Sequence, residues 1–408
     1  MGVPYAEQLA GKQTHAEGVL AAQPIAWEAP SPSAEEGFRT KAKMVVGGTV
    51  DAPTLGILDA RQRGVDLRGC GVLAPGLRSA VPAIADFVTR AGLEPYDVPT
   101  RRGELKLVLL TESPVTAEHP EGELMLRFVL RSREAEARIR KHLPALLAAE
   151  PRLAVVSLNL LPEHVALTEG EREIALTERT ELGMPLRLPD EPGGRAATTL
   201  ELHLRPGGFF QTNTAIAAAL YAHAAQWLAD PAIRRVADLY SGVGGFALAV
   251  AGAGVGAGAE GAAGAPPREV VGVESSAAAV DGARRSIPAE LAGRVRFEVA
   301  DAPAWAADRL TAAEPPDAIV VNPPRRGLGP ELAALLERSG PGTVLYSSCN
   351  VDSLGRDLAA MPSYRAVRGR LFDMFPQTAH AVARAALSHP ARSFLSRGVS
   401  HARSPTTL

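Results

Sequence analysis

The hydrophobic pattern of the chain changes character near residue 200. Before that point, short β-prone runs alternate with turn residues, and one longer stretch repeats its apolar positions with helical spacing. The predicted strands lie at residues 42–50, 55–58, 105–111, 124–131, 155–160 and 173–177, and the predicted helix spans residues 132–149 with Ser132 as its N-terminal cap. We therefore expect an α+β domain of mainly antiparallel character over residues 35–200.

After residue 200, predicted strands and helices alternate. The strands lie at residues 235–239, 269–273, 294–299, 318–321 and 342–347, and the helical segments include residues 215–228 and 246–251. Alternation of this kind is typical of a doubly wound, mostly parallel α/β sheet, whose ligands bind beyond the carboxyl ends of its strands. We assign this domain to residues 201–385.

Three segments lie outside these two domains. Residues 1–34 predict one short helix followed by a linker rich in proline and serine. Residues 252–268 are almost all glycine, alanine and proline, which cannot build a core and predict a flexible surface insertion. Residues 386–408 have no clear hydrophobic period and predict an atypical, disordered tail.

Composition restricts the class of protein. Apolar residues make up 46% and charged residues 22% of the chain, which is ordinary for a soluble globular protein. The formal net charge of −2 gives no global basic signature, so contacts with a nucleic acid must come from local patches. Cys70 and Cys349 are the two cysteines, which is too few for a disulfide framework and favours a reducing cytoplasm. No segment is long and apolar enough to span a bilayer, so we expect no membrane association.

A glycine turn follows the strand at residues 235–239. Gly242, Gly244 and Gly245 would let the backbone pass close to a bound nucleotide, although many strand-to-helix turns are merely tight. Glu274 ends the next predicted strand, 36 positions after Asp238 (274 − 238), or 19 once the 17 residues of the insertion are left out. A spacing of about 20 residues is expected between such a turn and an acid that binds ribose hydroxyls.

Other readings of these acids stay open. Glu274 could instead be a solvated residue at the end of its strand. Asp301 follows the third strand of this domain and could contact the edge of an adenine ring. The glycine turn and the two acids together predict a nucleotide-type cofactor.

Two further motifs indicate the chemistry. Asn322 is followed by two prolines and Arg325, a stiff turn that points the asparagine side chain into the site. The same turn occurs in enzymes that methylate exocyclic amino groups, but there an aromatic residue usually follows, where this chain has Arg325.

Cys349 lies in a polar turn after the last predicted strand. A lone cysteine is usually a small buried hydrophobe, but in this place it could be a nucleophile. A thiolate that adds to carbon 6 of uracil turns carbon 5 into a nucleophile, and a depressed thiol pKa would favour that step.

With these motifs, the chain resembles the RNA uracil-C5 methyltransferases, and most closely the type that methylates 23S ribosomal RNA at a U747-type site. The similar stretches include residues 37–44, 102–106, 209–213 and 371–380. The resemblance implies a Rossmann-like class I methyltransferase domain that uses S-adenosylmethionine (SAM), with 23S ribosomal RNA as the partner and no obligate protein partner. It implies Cys349 as the nucleophile and cofactor contacts from Gln211, Tyr240, Gly242, Glu274, Asp301 and Asn322. The type directed at transfer RNA is the alternative.

The chain also departs from the family in two ways. Family members of this type hold a four-iron, four-sulfur cluster on four cysteines, and Cys70 is the sole residue here at a matching place. We expect that this chain does not assemble the cluster, either because its start is misplaced within a longer reading frame or because the cluster has been lost.

The second departure concerns the proton-abstracting base. The family places a glutamate two positions after the histidine that matches His380, and here Val382 occupies that position. Either the reading frame is wrong there, or the chain is a catalytically impaired, RNA-binding homologue.

Nine lysine and arginine side chains of the predicted α+β domain are candidates for contacts with phosphates. On the alternative interpretation, about half of them are ordinary solvated residues. They are Arg39, Lys41, Lys43, Arg101, Arg102, Lys106, Arg127, Arg131 and Arg133.

Overall fold

The computed structural model describes residues 2–117, 119–165, 167–189, 198–253 and 268–392. Most of the predicted insertion (254–267) and most of the predicted tail (393–408) lie outside these residues. Within the described residues, no helix combines the length and apolar character needed to cross a membrane.

The helices and strands are numbered in chain order. The helices are α1 (Tyr5–Val19), α2 (Pro75–Arg90), α3 (Glu136–Ala149), α4 (Thr214–Trp227), α5 (Gly245–Gly252), α6 (Ala277–Arg285), α7 (Ala302–Arg309), α8 (Pro330–Ser339) and α9 (Val351–Ala360). The strands are β1 (Ala26–Trp27), β2 (Lys41–Gly48), β3 (Pro53–Leu58), β4 (Gly64–Asp66), β5 (Leu105–Glu112), β6 (Leu124–Leu130), β7 (Leu153–Leu160), β8 (Arg172–Ala175), β9 (Leu182–Arg187), β10 (Thr199–Leu204), β11 (Arg235–Leu239), β12 (Glu269–Glu274), β13 (Val295–Val299), β14 (Ala318–Val321), β15 (Thr343–Ser348), β16 (Arg365–Phe372) and β17 (Val382–Ser388).

The chain divides into two compact units. The central unit contains Ala34–Pro185 and His203–Thr214, and the C-terminal unit contains Met1–Ser33, Leu186–Leu202 and Ala215–Leu408. The N-terminal helix and linker, which the sequence suggested as a region of their own, therefore belong to the C-terminal unit.

The central unit is built on a seven-stranded sheet in the order β4-β3-β2-β5-β6-β7-β8. Neighbouring strands are antiparallel except β6 and β7, which are parallel and are connected through α3. Helices α2 and α3 bury Leu77, Ile84 and Ile139 in one core with Phe128 of the sheet. The predicted antiparallel α+β character is therefore present.

One helix of this unit was missed, and the predicted start of another was wrong. Helix α2 was not predicted, because Pro82 inside it is a helix breaker, yet the helix buries one complete apolar face and begins with Pro75, where proline is tolerated. Helix α3 begins at Glu136, whereas the predicted helix began at residue 132. Ser132 does not cap it, since its hydroxyl donates to Glu104 Oε2 at 2.6 Å.

The C-terminal unit is built on an eight-stranded sheet in the order β1-β16-β17-β15-β14-β11-β12-β13. Strands β11 to β15 are mutually parallel, and β17 is antiparallel to both β15 and β16. The predicted doubly wound sheet is confirmed, and its five predicted parallel strands agree with the structure to within about one residue at each end. Strand β17 runs to Ser388, three residues past the predicted end of the domain at residue 385.

The parallel strands decide where a site can lie. Because β11, β12, β14 and β15 point the same way, the loops that follow them meet at one edge of the sheet. Those loops carry the glycine turn, Glu274, Asn322 and Cys349.

Candidate active site

The glycine turn joins β11 to α5 in an unusual backbone conformation. Tyr240, Gly242 and Gly244 have φ angles of 64°, 53° and 87°, and such positive values are uncommon for a residue with a side chain such as Tyr240. A Cβ atom on Gly244 would lie 2.5 Å from the Phe297 ring, so packing alone requires glycine there. A Cβ atom on Gly242 would meet nothing within 4 Å, so Gly242 is the glycine of this turn that borders open space.

Glu274 lies beside this turn, at the end of β12. Its Oε2 accepts a hydrogen bond from Gly242 N at 3.2 Å, and its Oε1 accepts one from Ser276 N at 2.9 Å. The half-buried carboxylate therefore links the glycine turn to the N-terminus of α6. The structure thus brings together two residues that the sequence analysis assigned to one cofactor.

Asp238 is a functional candidate that the sequence analysis used only as a marker of spacing. It is fully buried, and its Oδ2 accepts a hydrogen bond from Ala247 N in the first turn of α5 at 3.0 Å. Burial, with a further contribution from the charge of Glu274, raises the pKa of Asp238 to about 8. Its Oδ1 and the hydroxyl of Ser241 have no hydrogen-bond partner within the described residues. Unsatisfied polar atoms next to an open glycine fit a site that takes a polar ligand.

The other predicted cofactor contacts are placed as follows. Asn322 is half-buried and directly follows β14, and its backbone N donates to Leu239 O at 3.4 Å, next to Tyr240. Asp301 accepts a hydrogen bond from Ala304 N at 3.2 Å and caps α7, which accounts for an aspartate there without any ligand. Gln211 is buried and belongs to the central unit. The cofactor roles of these residues stay predictions.

Cys349 directly follows β15 and is half-buried. The next residue, Asn350, caps α9 by accepting from Asp352 N at 3.2 Å, and its Nδ2 donates to Arg325 O at 3.3 Å. The thiol is therefore held between two polar turns. Burial raises the pKa of the Cys349 thiol, and the charge of Arg325 opposes that rise. The depressed pKa that would favour a nucleophile is thus not found, and Arg325 is the group that favours the thiolate.

Arg325 also contacts the loop between β16 and β17. Its Nη2 lies 3.0 Å from His380 Nδ1, so the turn after β14 touches the turn before β17. The turn after β14 is also held by Asp357 of α9. The Oδ2 atom of Asp357 accepts hydrogen bonds from Leu328 N at 2.8 Å and from the Tyr346 hydroxyl at 2.6 Å. These contacts connect the turn that carries Arg325 to α9 and to the loop before β17.

Cys70 lies in a different unit from Cys349. It is half-buried and packs against the core of the central unit. The described residues contain no group of three or more His, Cys, Asp or Glu side chains that could hold a metal ion. Since the whole chain has two cysteines, four cysteine ligands for an iron–sulfur cluster cannot come from it.

The fold and the site together define a class of enzyme. A doubly wound sheet with an antiparallel strand β17 carries a glycine turn and an acid at the ends of adjacent strands, which is the arrangement of a Rossmann-like SAM-dependent methyltransferase. Comparison with known proteins defines the family. The chain belongs to the RNA uracil-C5 methyltransferases, and it is a SAM-dependent enzyme of that family.

Three comparisons support this assignment. Residues 313–389 match the family described as tRNA (uracil-5-)-methyltransferase. The chain is 42% identical over 381 residues to 23S rRNA (uracil(747)-C(5))-methyltransferase RlmC of Edwardsiella ictaluri, which covers 93% of both chains. It is also 42% identical to the protein of the same name from Pectobacterium carotovorum, over 92% of both chains.

A solved structure is similar in fold. The tRNA (uracil-54, C5)-methyltransferase of Pyrococcus abyssi in complex with S-adenosyl-L-homocysteine superimposes with a TM-score of 0.71 at 23% identity, covering 94% of this chain and 84% of that chain.

Proposed function

We propose that this protein methylates carbon 5 of a uridine in 23S ribosomal RNA, at a U747-type site, through a covalent adduct between Cys349 and carbon 6 of the base. The observation that carries the proposal is the placement of the glycine turn, Asn322 and Cys349 on loops at one edge of a single sheet. A methyl donor in the glycine turn and a base at the thiol would then share that edge. The 42% identity to relatives named for 23S ribosomal RNA supports the target.

The residues fit a SAM molecule. The open space at Gly242 and the unsatisfied atoms of Asp238 and Ser241 suit a polar ligand, and the Glu274 carboxylate can accept hydrogen bonds from ribose hydroxyls. Tyr240 and Asn322 complete the proposed set within the C-terminal unit. When bound, SAM supplies a methyl group on a positively charged sulfur.

In this mechanism the chain's own residues act on the base. The Cys349 thiolate adds to carbon 6, and the electron pair of the 5,6 double bond moves toward the oxygen on carbon 4. Carbon 5 of the resulting enolate would take the methyl group, and the electron pair of the broken methyl–sulfur bond would stay on the sulfur of the donor. A base then removes the carbon 5 proton, the 5,6 double bond re-forms, and the Cys349 sulfur leaves as thiolate. The charge of Arg325 favours the Cys349 thiolate both when it attacks carbon 6 and when it leaves.

The central unit supports an RNA substrate. A cavity of about 160 Å³ is lined by Lys41, Lys43 and Arg39, and the Phe209 ring at its border is 63% exposed. Lysine and arginine suit phosphates, and an exposed aromatic ring suits stacking on an unpaired base. The Lys41 ammonium donates to Gly208 O at 2.8 Å, and burial lowers its pKa to about 8, so a phosphate nearby would stabilise its charge.

Three of the basic candidates fit the other interpretation, in which they are ordinary residues of the domain that do not bind phosphates. Arg127, Arg131 and Arg133 are ion-paired with glutamates of the same unit. Their charges are balanced within the protein, so they are weaker candidates for phosphate contacts.

One observation favours a second function. Val382 replaces the proton-abstracting glutamate that the family resemblance implies, and it is buried in β17. A homologue that binds RNA and forms the adduct, but releases product slowly, is therefore the second candidate.

The test of the target uses labelled SAM and two substrates, a transcribed fragment of 23S ribosomal RNA with the U747-type site and a transfer RNA. We expect label on carbon 5 of a uracil base of the 23S fragment, either as free 5-methyluridine or as the methylated base still bound to Cys349. Label in the transfer RNA alone would overturn the 23S target. The reaction would take place in the cytoplasm, where both cysteines would stay reduced.

A further inference from the structure

The N-terminal helix α1 belongs to the C-terminal unit and contacts the loop at residues 373–381, between β16 and β17. This loop carries His380 and leads directly into Val382. Its contact with α1 is specific rather than merely apolar, since it includes a buried ion pair.

Lys12 and Asp373 form that pair. The Lys12 Nζ lies 2.7 Å from Asp373 Oδ1, and the two side chains are 5% and 0% exposed. The same Nζ donates to Phe375 O at 3.1 Å. The buried ammonium binds both a carboxylate and a carbonyl at the start of the loop. Separating the pair while its members stay buried would leave a charge without a partner, so the contact stabilises this position of the loop.

A second contact from α1 reaches the same loop. Gln8 Nε2 donates to Gln377 Oε1 at 3.0 Å, one helical turn before Lys12. Gln377 has a φ angle of 64°, a conformation that needs support from its surroundings. Two positions on one face of α1 thus hold both the start and the middle of the loop.

The opposite end of α1 contacts the helix that follows the nucleophile. A Cβ atom on Gly355 of α9 would lie 3.0 Å from Val19 Cγ1, and Leu20 is buried in the same core as Leu354. Helix α9 begins two residues after Cys349. One helix therefore contacts both the loop before β17 and the helix that follows Cys349, and none of these contacting residues is a proposed reacting group.

We propose that Lys12 is a positioning residue, which holds the 373–381 loop so that His380 and the start of β17 keep their place beside Arg325 and Cys349. This role rests on the proposed function of Cys349. Helix α1 would then contribute to the rate of methyl transfer by positioning this loop.

The test compares Lys12→Met with Glu17→Met, a charge removed from the exposed side of the same helix. For Lys12→Met we expect the single-turnover rate of methyl transfer to fall about 10- to 100-fold, because a small misplacement of a catalytic group has effects of that size. The dissociation constant for SAM should stay within about twofold, and Lys12→Arg should recover most of the lost rate. Glu17→Met should transfer methyl groups at the native rate.

Hydrogen–deuterium exchange gives a readout that does not depend on the function. Lys12→Met should speed exchange in residues 374–381 and leave β15 unchanged. If the native protein methylates no RNA, the proposed function fails while exchange still decides whether Lys12 holds the loop.

Two results would overturn the proposal: unchanged exchange in the loop, or a methylation rate for folded Lys12→Met equal to that of Glu17→Met. If Lys12→Met does not fold, Gln8→Ala replaces it, since this change leaves no buried charge. Gln8→Ala should then slow transfer by several-fold, and a native rate with native exchange would overturn the proposal.

Discussion

Ser348, the residue before Cys349, pairs with Ala383, the residue after Val382, in the antiparallel register of β15 and β17. Continuing that register one position past the end of β15 would place Val382 opposite Cys349. Side chains at directly opposed positions share one face of a sheet and lie close together. We therefore expect a carboxylate at position 382 to lie near the thiol, whereas the buried valine offers no proton acceptor there.

The first prediction follows from this pairing. The native chain should add its thiolate to uracil and methylate carbon 5, but it should remove the carbon 5 proton slowly. The methylated RNA should accumulate as a covalent adduct that migrates slowly on denaturing gels. Val382→Glu should shorten the life of the adduct and raise turnover about 10²- to 10⁴-fold, the usual contribution of a positioned general base.

Val382→Gln is the matched control, because it has the size of glutamate but cannot accept the proton in the same way. It should leave the adduct as long-lived as in the native chain. Rapid multiple turnover by the native chain, with no adduct on the gel, would show that another group or water removes the proton.

The second prediction concerns the pH dependence of the thiol. The Arg325 charge favours the thiolate, so Arg325→Gln should raise the pKa of Cys349 above its already raised native value. In a Cys70→Ser background, where Cys349 is the sole thiol, alkylation by iodoacetamide should slow near pH 7 and approach the native rate at high pH. Arg326→Gln is the control and should keep the native profile. Superimposable profiles for Arg325→Gln and the native chain would contradict the role of Arg325.

The third prediction concerns cofactor affinity. Glu274→Ala removes the proposed ribose acceptor and the link to Gly242 N, and should weaken SAM binding by about 1.5–3 kcal/mol. Calorimetry should show a dissociation constant higher by about tenfold to somewhat over 100-fold. Glu269→Gln, at the opposite end of the same strand, should bind SAM with native affinity. An unchanged dissociation constant in Glu274→Ala would rule out the ribose role.

The fourth prediction uses Asp238. Its folded pKa of about 8 lies above the ordinary value for an aspartate, so between pH 4 and 8 the unfolded chain releases a proton that the folded chain keeps. The contribution of Asp238 to stability is therefore fully present below pH 4 and is lost as the pH rises toward 8. Asp238→Asn removes this dependence.

Urea unfolding without cofactor checks this prediction at pH 5 and pH 8. The native chain should lose more stability than Asp238→Asn over that interval, by up to about 4 kcal/mol, since one pKa unit corresponds to about 1.4 kcal/mol. Asp308→Asn, whose side chain is 78% exposed, should behave like the native chain. Equal losses in Asp238→Asn and the native chain would mean that Asp238 is ionised in the folded state.

The parallel strands of the C-terminal unit could be predicted because each is encoded by a short stretch of sequence. Strands such as β14 are buried on both faces and appear in the sequence as short apolar runs between turns. Strand β17 was missed because its alanine-rich sequence favours a helix, and its extended state depends on pairing with β15 and β16 on either side.

For the candidate site, the sequence predicted which residues would lie together. Glycines and an acid at fixed spacing assigned Gly242 and Glu274 to one cofactor, and the structure joins these two residues by a hydrogen bond, while their cofactor roles stay predictions. The contacts that position the site were not predictable, because they join distant parts of the chain. Lys12 and Asp373 are 361 positions apart, and no local pattern connects them.

The proposed reaction begins when Cys349 attacks carbon 6 of a uracil base. Its most direct test incubates native protein, Cys349→Ala and Cys70→Ser with labelled SAM and the 23S fragment, followed by nucleoside analysis and mass spectrometry of protein–RNA adducts. We predict label in 5-methyluridine and an adduct on the peptide containing Cys349 for native protein and Cys70→Ser, and neither for Cys349→Ala, which should still bind SAM. Methylation by Cys349→Ala within about tenfold of the native rate, or label in any other nucleoside, would contradict the account.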